Sequence, residues 1–124
     1  KPLYILIGKV TFSGGEGFAY NMQARKRAIL VGEKTDGGAN PGASYRLHSH
    51  FEAFIPVGKL TNAVTGANWE GRGVTPDIAT PSEQAFKVAY TLALKAILAE
   101  LGEPSSAPLT ALAQEVKTAL HGVE

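Results

Sequence analysis

Two short apolar runs flank a glycine-rich turn and a helix-compatible stretch, and that order limits the folds open to the chain. The first run, Leu3 to Ile7 in KPLYILIG, is rich in β-formers and has Pro2 at its edge. TFSGGEGFAY follows from Thr11, and a segment from Gly14 to Arg27 carries helix-forming residues with basic ones at its end. The second run, Ala28 to Val31, closes on Gly32. Two buried strands joined by a helix predict parallel pairing, hence an α/β fold. KPLYILI already reads as a buried strand, so a preceding segment of a longer protein is expected.

Downstream, EKTDGGANPG from Glu33 to Gly42 reads as a loop. YRLHSHFEAFIPVGKLTNAVTGANW alternates polar and apolar side chains, with turn signals at Pro56, Gly58 and Thr65-Gly66, which predicts one or two strands and a hairpin-like excursion. After EGRGVTPDIATP, Ser82 is placed as the cap of a long, well-buried helix reaching about Leu101, with Phe86, Ala89, Ala93, Ala96 and Ile97 along one side. Residues 102–108, GEPSSAP, form a linker by composition, and Leu109, Leu112, Ala113, Val116 and Leu120 mark an amphipathic helix over 109–124.

Composition narrows the chemistry. At 124 residues, 44% hydrophobic and 19% charged, the chain suits one globular domain. A net charge of +1, with basic and acidic residues interspersed, lacks the footprint of a nucleic-acid binder. No apolar run approaches the roughly 20 residues of a membrane span. Without cysteine there is no disulfide, thiolate nucleophile or thiolate zinc site. The loop TDGGANPG lacks the GK[ST] of a phosphate cradle and reads as a flexible flap. No cofactor is expected.

Ser13 carries two readings. S-x-x-E ahead of a helix is the capping-box pattern, in which Ser13 and Glu16 satisfy free backbone amides. A serine at a strand-to-helix turn also exposes its hydroxyl beside the positive end of the helix dipole, where the Gly14 amide can stabilise an oxyanion and bare Gly14 and Gly15 admit a substrate backbone. His48 and His50 are two apart in an expected strand and would share one face, as a metal pair does, but the sequence offers no third ligand and no metal is assigned. His121 suits a helix C-terminus. Trp69 and Asp77 read as structural, one packed under the loop and one tying the turn after Pro76.

Several separated segments point one way together: TFSGGEGFAYNMQARKRAILVGEKTDGGANPG, then FIPVGKLTNAVTGANWEGRGVTPDI. Their S-x-x-E, VGE-x-T-x-G and EG-x-GV-x-PD motifs, in this order, resemble the tail-specific (carboxyl-terminal processing) serine protease family. Within it the resemblance is to the branch related to tricorn core protease and to the repeats of interphotoreceptor retinoid-binding protein. It covers residues 1 to about 90.

The resemblance implies a crotonase-like stack of ββα units, with residues 1–101 as the C-terminal part of a catalytic domain. By the same match Ser13 is the nucleophile and Gly14 an oxyanion donor; Gly15, Gly37 and Gly38, bare of side chains beside the serine, are expected to border the substrate. The base lysine of the tail-specific branch falls on Gly38 and is therefore missing; Lys34, close in sequence, precedes the matched position. The tricorn-like branch uses an upstream histidine oriented by a downstream glutamate, whose place Glu70 takes. A serine hydroxyl needs a neighbouring base to become nucleophilic.

The expected function is hydrolysis of peptide bonds in a periplasmic or extracellular protein, completed by an upstream segment and inactive in this chain alone. The alternative is a non-catalytic module binding retinoids, fatty acids or other apolar ligands. Exposed apolar helix surface would favour self-association.

Overall fold

The computed structural model describes residues 1–123. Strand β1 (Tyr4–Ile7) leads into helix α1 (Gly14–Ala24), which returns the chain to strand β2 (Ile29–Gly32). β1 and β2 pair in parallel with Tyr4 opposite Ile29 and Ile7 opposite Gly32. The short strand β5 (Ile78–Ala79) joins the far edge of β2, also in parallel, giving the order β1-β2-β5. Between β2 and β5 the chain makes an antiparallel hairpin, β3 (Gly42–His48) and β4 (Phe51–Pro56). Helices α2 (Ser82–Leu101) and α3 (Ala107–Val123) close the chain. No described helix is long and apolar enough to cross a membrane.

The parallel sheet is covered on both faces, which explains why its strands read as continuous apolar runs. Because side chains alternate across a strand, Ile5, Ile7 and Leu30 join Ala19, Ala39, Trp69 and Val74 on one face. Tyr4 and Val31 join Ala85, Val88, Ala89 and Ile78 on the other, under α2. Leu30 and Val31 are wholly buried, each contributing about 1.5–3 kcal/mol. Asp77 clasps this frame more widely than a turn would require. Its Oδ2 accepts from Leu30 N at 2.7 Å and its Oδ1 from Gln23 Nε2 at 2.9 Å.

Several boundaries differ from those expected. α1 ends at Ala24 instead of Arg27, because Lys26 takes a left-handed φ of 52° and turns the chain toward β2. Pro81, not Ser82, is the cap of α2. Ser82 is the first helical residue, and its hydroxyl donates to Glu33 Oε2, which also meets Lys9 Nζ through Oε1 at 2.9 Å. The face of α2 that meets the sheet runs through Ala85 and Ala89, so Phe86 is 66% exposed and stacks on Tyr90 instead of joining the core. Outside the polar stripe of Gln84, Lys87, Thr91 and Lys95 the helix is broadly apolar, which leaves the choice of buried face to its neighbours. α3 begins at Ala107, two positions before the expected start, and the last residue of the expected helix, 124, lies outside the described residues. His48 ends β3 while His50 sits in the hairpin turn, so they do not form a one-face pair within a strand. Their rings lie 5.4 Å apart.

Candidate active site

Ser13 stands between β1 and α1, exposed, with φ 50° and ψ −112°. Only Ser13 and Lys26, among the described non-glycine residues, have positive φ. Such a conformation costs on the order of 1–3 kcal/mol and concentrates at functional sites. It survives because its surroundings fix it: Ser13 N donates to Glu16 Oε2 at 2.9 Å, and Gly15 N donates to Phe12 O at 3.0 Å. The serine half of the capping box is looser, since the hydroxyl faces the first turn without completing a cap hydrogen bond. The Gly14 amide, first in the helix, has no acceptor among the described residues.

Glu16 does far more than cap. Its side chain is fully buried, and besides Ser13 N it accepts from Thr35 Oγ1 at 2.5 Å, Gly37 N at 2.7 Å and Gly38 N at 2.9 Å. All four partners donate, so the carboxyl group acts as a pure acceptor joining the helix start to the loop after β2. Thr35 extends the network, its Oγ1 accepting from Val74 N at 2.7 Å.

That loop is accordingly not the flap its glycines suggest. Gly37 O accepts from Gly71 N at 2.8 Å, Gly38 O accepts from Trp69 Nε1 at 3.0 Å, and Thr35 N donates to Val74 O at 3.1 Å. Gly37 adopts a left-handed φ of 110°; Gly38 does not. Segment 69–74 thus runs along segment 35–38, with buried Trp69 against Tyr20 of α1 at 5.3 Å. Two side-chain bonds, Asn62 Nδ2 to Asn21 Oδ1 at 2.7 Å and Tyr20 to Thr65 at 3.0 Å, hold the approach to Trp69 against α1.

This pairing carries Glu70 to the serine. Its Oε2 accepts from Ala39 N and Asn40 N, both at 2.7 Å, while Oε1 has no partner among the described residues. Ser13 and Glu70 line one groove of about 720 Å³ with Gly37, Gly38 and Asn40, walled by Phe12, Pro41, Phe54 and Pro56. Gly14 and Gly15 border the serine but do not line that groove. Neither does Lys34, which lies in a separate depression with Lys9 and Glu33. No described histidine or lysine lines the groove. Phe12 and Phe54 were not foreseen as site residues; the signal available for Phe12 was an aromatic directly before the serine.

The backbone amides of Ala39 and Asn40 hold the Glu70 carboxyl below the usual carboxylate range. A depressed folded pKa means that the contact is fully present above the ordinary value of 4.5 and is lost as pH falls through the lower folded value. Amide exchange should therefore show the protection of Ala39 and Asn40 steady from neutral pH down to the ordinary value of 4.5 and declining only as pH falls below it. Protection that already declines above that value would contradict this anchoring.

An α/β unit with a strained serine at a strand-to-helix turn, a buried glutamate three residues on and a second glutamate in the serine's groove fits the class of serine hydrolases. The family model described as peptidase family S41 matches residues 1–80, and the chain belongs to that family. Among solved structures it is similar to a photosystem II D1 C-terminal processing protease, at 26% identity and TM-score 0.55, over 66% of this chain and 21% of that one. It is also similar to mature CPAF, at 24% identity and TM-score 0.56, over 68% of this chain and 17% of that one. A complex of mature CPAF with lactacystin gives 23% identity and TM-score 0.57, over 78% and 19%. At those identities the two CPAF likenesses speak for the fold alone. The chain spans only 17% to 21% of the length of these solved structures.

Proposed function

We propose that this chain is the C-terminal part of a serine-peptidase domain, built on a crotonase-like spiral and close to the tricorn-like branch. Ser13 Oγ attacks the carbonyl carbon of a peptide bond, giving its proton to a histidine from an upstream segment of the same protein. Glu70 orients that histidine through its unpartnered Oε1. The Gly14 amide stabilises the oxyanion as the tetrahedral intermediate forms. Collapse returns the proton to the leaving amine, and water then hydrolyses the acyl-serine. The observation that carries the reading is the strained, exposed Ser13 sharing a groove with Glu70 beside an unpartnered Gly14 amide.

The lysine-based alternative has a steric obstacle: a Cβ at residue 38 would stand 2.2 Å from the Phe12 ring. A base side chain there requires Phe12 to leave. The groove's apolar walls favour one second reading, a non-catalytic module for an apolar small molecule.

The test is labelling and turnover with a fluorophosphonate serine probe and a peptide library, on the longer protein and on this chain alone. We expect Ser13→Ala to lower turnover by the longer protein at least about a thousandfold, and the isolated chain to show little activity. Turnover indifferent to Ser13→Ala would overturn the assignment. Ser13-dependent turnover by the isolated chain at the longer protein's rate would place a base within these residues. Recovery of the longer protein in the periplasmic or extracellular fraction would support the periplasmic or extracellular setting.

A further inference from the structure

Two aromatic rings that line the serine's groove each lie on a glycine. A Cβ at Gly38 would meet Phe12 Cε2 and Cζ at 2.2 Å, and a Cβ at Gly42 would meet Phe54 Cζ at 2.6 Å and Cε1 at 2.7 Å. Each ring therefore occupies space that any other residue at 38 or 42 would fill. Pro41 and Pro56 complete the apolar walls. Phe12 and Phe54 nonetheless remain 55% and 62% exposed, two large apolar surfaces presented to one volume instead of to the core.

We infer that Phe12 and Phe54 form a specificity subsite that receives the neutral apolar side chain of a peptide residue flanking the scissile bond. The proposal rests on the peptidase reading for its substrate and on the groove's geometry for its chemistry. Phe12 immediately precedes the nucleophile position, so a side chain held against these rings is a neighbour of the bond that Ser13 attacks. The groove's volume, about 720 Å³, is in the range of small-ligand sites, which pair apolar walls with a few placed polar groups. Those polar groups are Ser13, Asn40 and Glu70, and among the described residues Glu70 is the only charged one lining the groove.

Its charge decides between apolar occupants. A fatty acid would bring its carboxylate toward the Glu70 carboxylate, a like-charge approach without a lysine or arginine to offset it. A leucine or phenylalanine side chain of a peptide brings no charge. An aspartate or glutamate at the same substrate position should be refused for the same reason.

The experiment has two arms. Nuclear magnetic resonance titration of this chain uses two probes, N-acetyl-leucine amide and decanoate. The expected result is shifts of the Gly38, Gly42 and Phe54 amides with the leucine probe, weakened about tenfold or more by Phe54→Ala and largely kept by Phe54→Leu. No shift at these amides, or decanoate binding there as tightly as the leucine probe, overturns the subsite. In the second arm the longer protein cleaves peptides that differ only in Leu or Asp at the flanking position. Leu should be preferred by about a hundredfold, and Phe54→Ala should reduce that preference about tenfold or more. A preference unmoved by Phe54→Ala overturns the subsite, whereas absence of any Ser13-dependent cleavage overturns the peptidase reading and leaves the titration to decide the subsite.

Discussion

Glu16→Ala should be the most damaging substitution in the chain's first half, lowering stability by about 3–5 kcal/mol or preventing folding outright. The side chain is fully buried and satisfies four donors: Ser13 N, Thr35 Oγ1, Gly37 N and Gly38 N. An unsatisfied buried donor costs about 1–3 kcal/mol, and water entering the vacated space recovers only part of the sum. The loss would also be local in a telling way. Ser13 N and Gly38 N share one carboxylate oxygen, so the serine's strained backbone and the loop opposite would relax together. Urea denaturation measures the total, and amide exchange at Gly37 and Gly38 measures the local part. A loss under about 1 kcal/mol with those amides still protected would mean that Glu16 is a simple helix cap after all.

That outcome bears on what a reader of the bare sequence can see. The strand-helix-strand unit was legible because its signals are local: two apolar runs, glycines at the turn, and S-x-x-E at the helix start. The end of α1 was not, since Arg25, Lys26 and Arg27 are all good helix formers and only the approach to β2 forces Lys26 to a φ of 52°. The buried face of α2 was hidden for a different reason. Apolar residues cover most of that helix outside the stripe of Gln84, Lys87, Thr91 and Lys95, and the sheet selects Ala85 and Ala89 over Phe86 by contact, not by pattern.

The site divides along the same line. Ser13 could be marked from its decapeptide, whereas Glu70 could be placed only through resemblance, because the hydrogen bonds that bring it to the groove run to Ala39 and Asn40. Loop 35–40 looked mobile because glycines lack side chains. Its amides are fixed by carboxylates remote in sequence, which no local window reveals. Phe54 enters the groove only once the β3–β4 hairpin has folded over Gly42, so no spacing rule would have paired it with Phe12.

Two glycines of the EGRG turn give the remaining large prediction, because one is a matched control for the other. Gly71 and Gly73 both have left-handed backbones, with φ 64° and 72°. Alanine at either position carries the strain of that conformation, about 1–2 kcal/mol. At Gly71 nothing lies within 4 Å of the new Cβ, so strain is the whole cost. At Gly73 the Cβ would stand 2.1 Å from the Thr35 carbonyl oxygen and 2.9 Å from its carbon, and neither atom belongs to a side chain that can swing away. Segments 35–38 and 69–74 must therefore part, weakening the Thr35 N to Val74 O and Val74 N to Thr35 Oγ1 bonds. Gly73→Ala should cost more than about 3 kcal/mol and strip protection from the Ala39 and Asn40 amides as Glu70 retreats. Gly71→Ala should leave those amides protected. Equal losses for the two variants, or protection at Ala39 and Asn40 unaffected by Gly73→Ala, would show that the contact between the two segments does not hold Glu70 at the serine's groove.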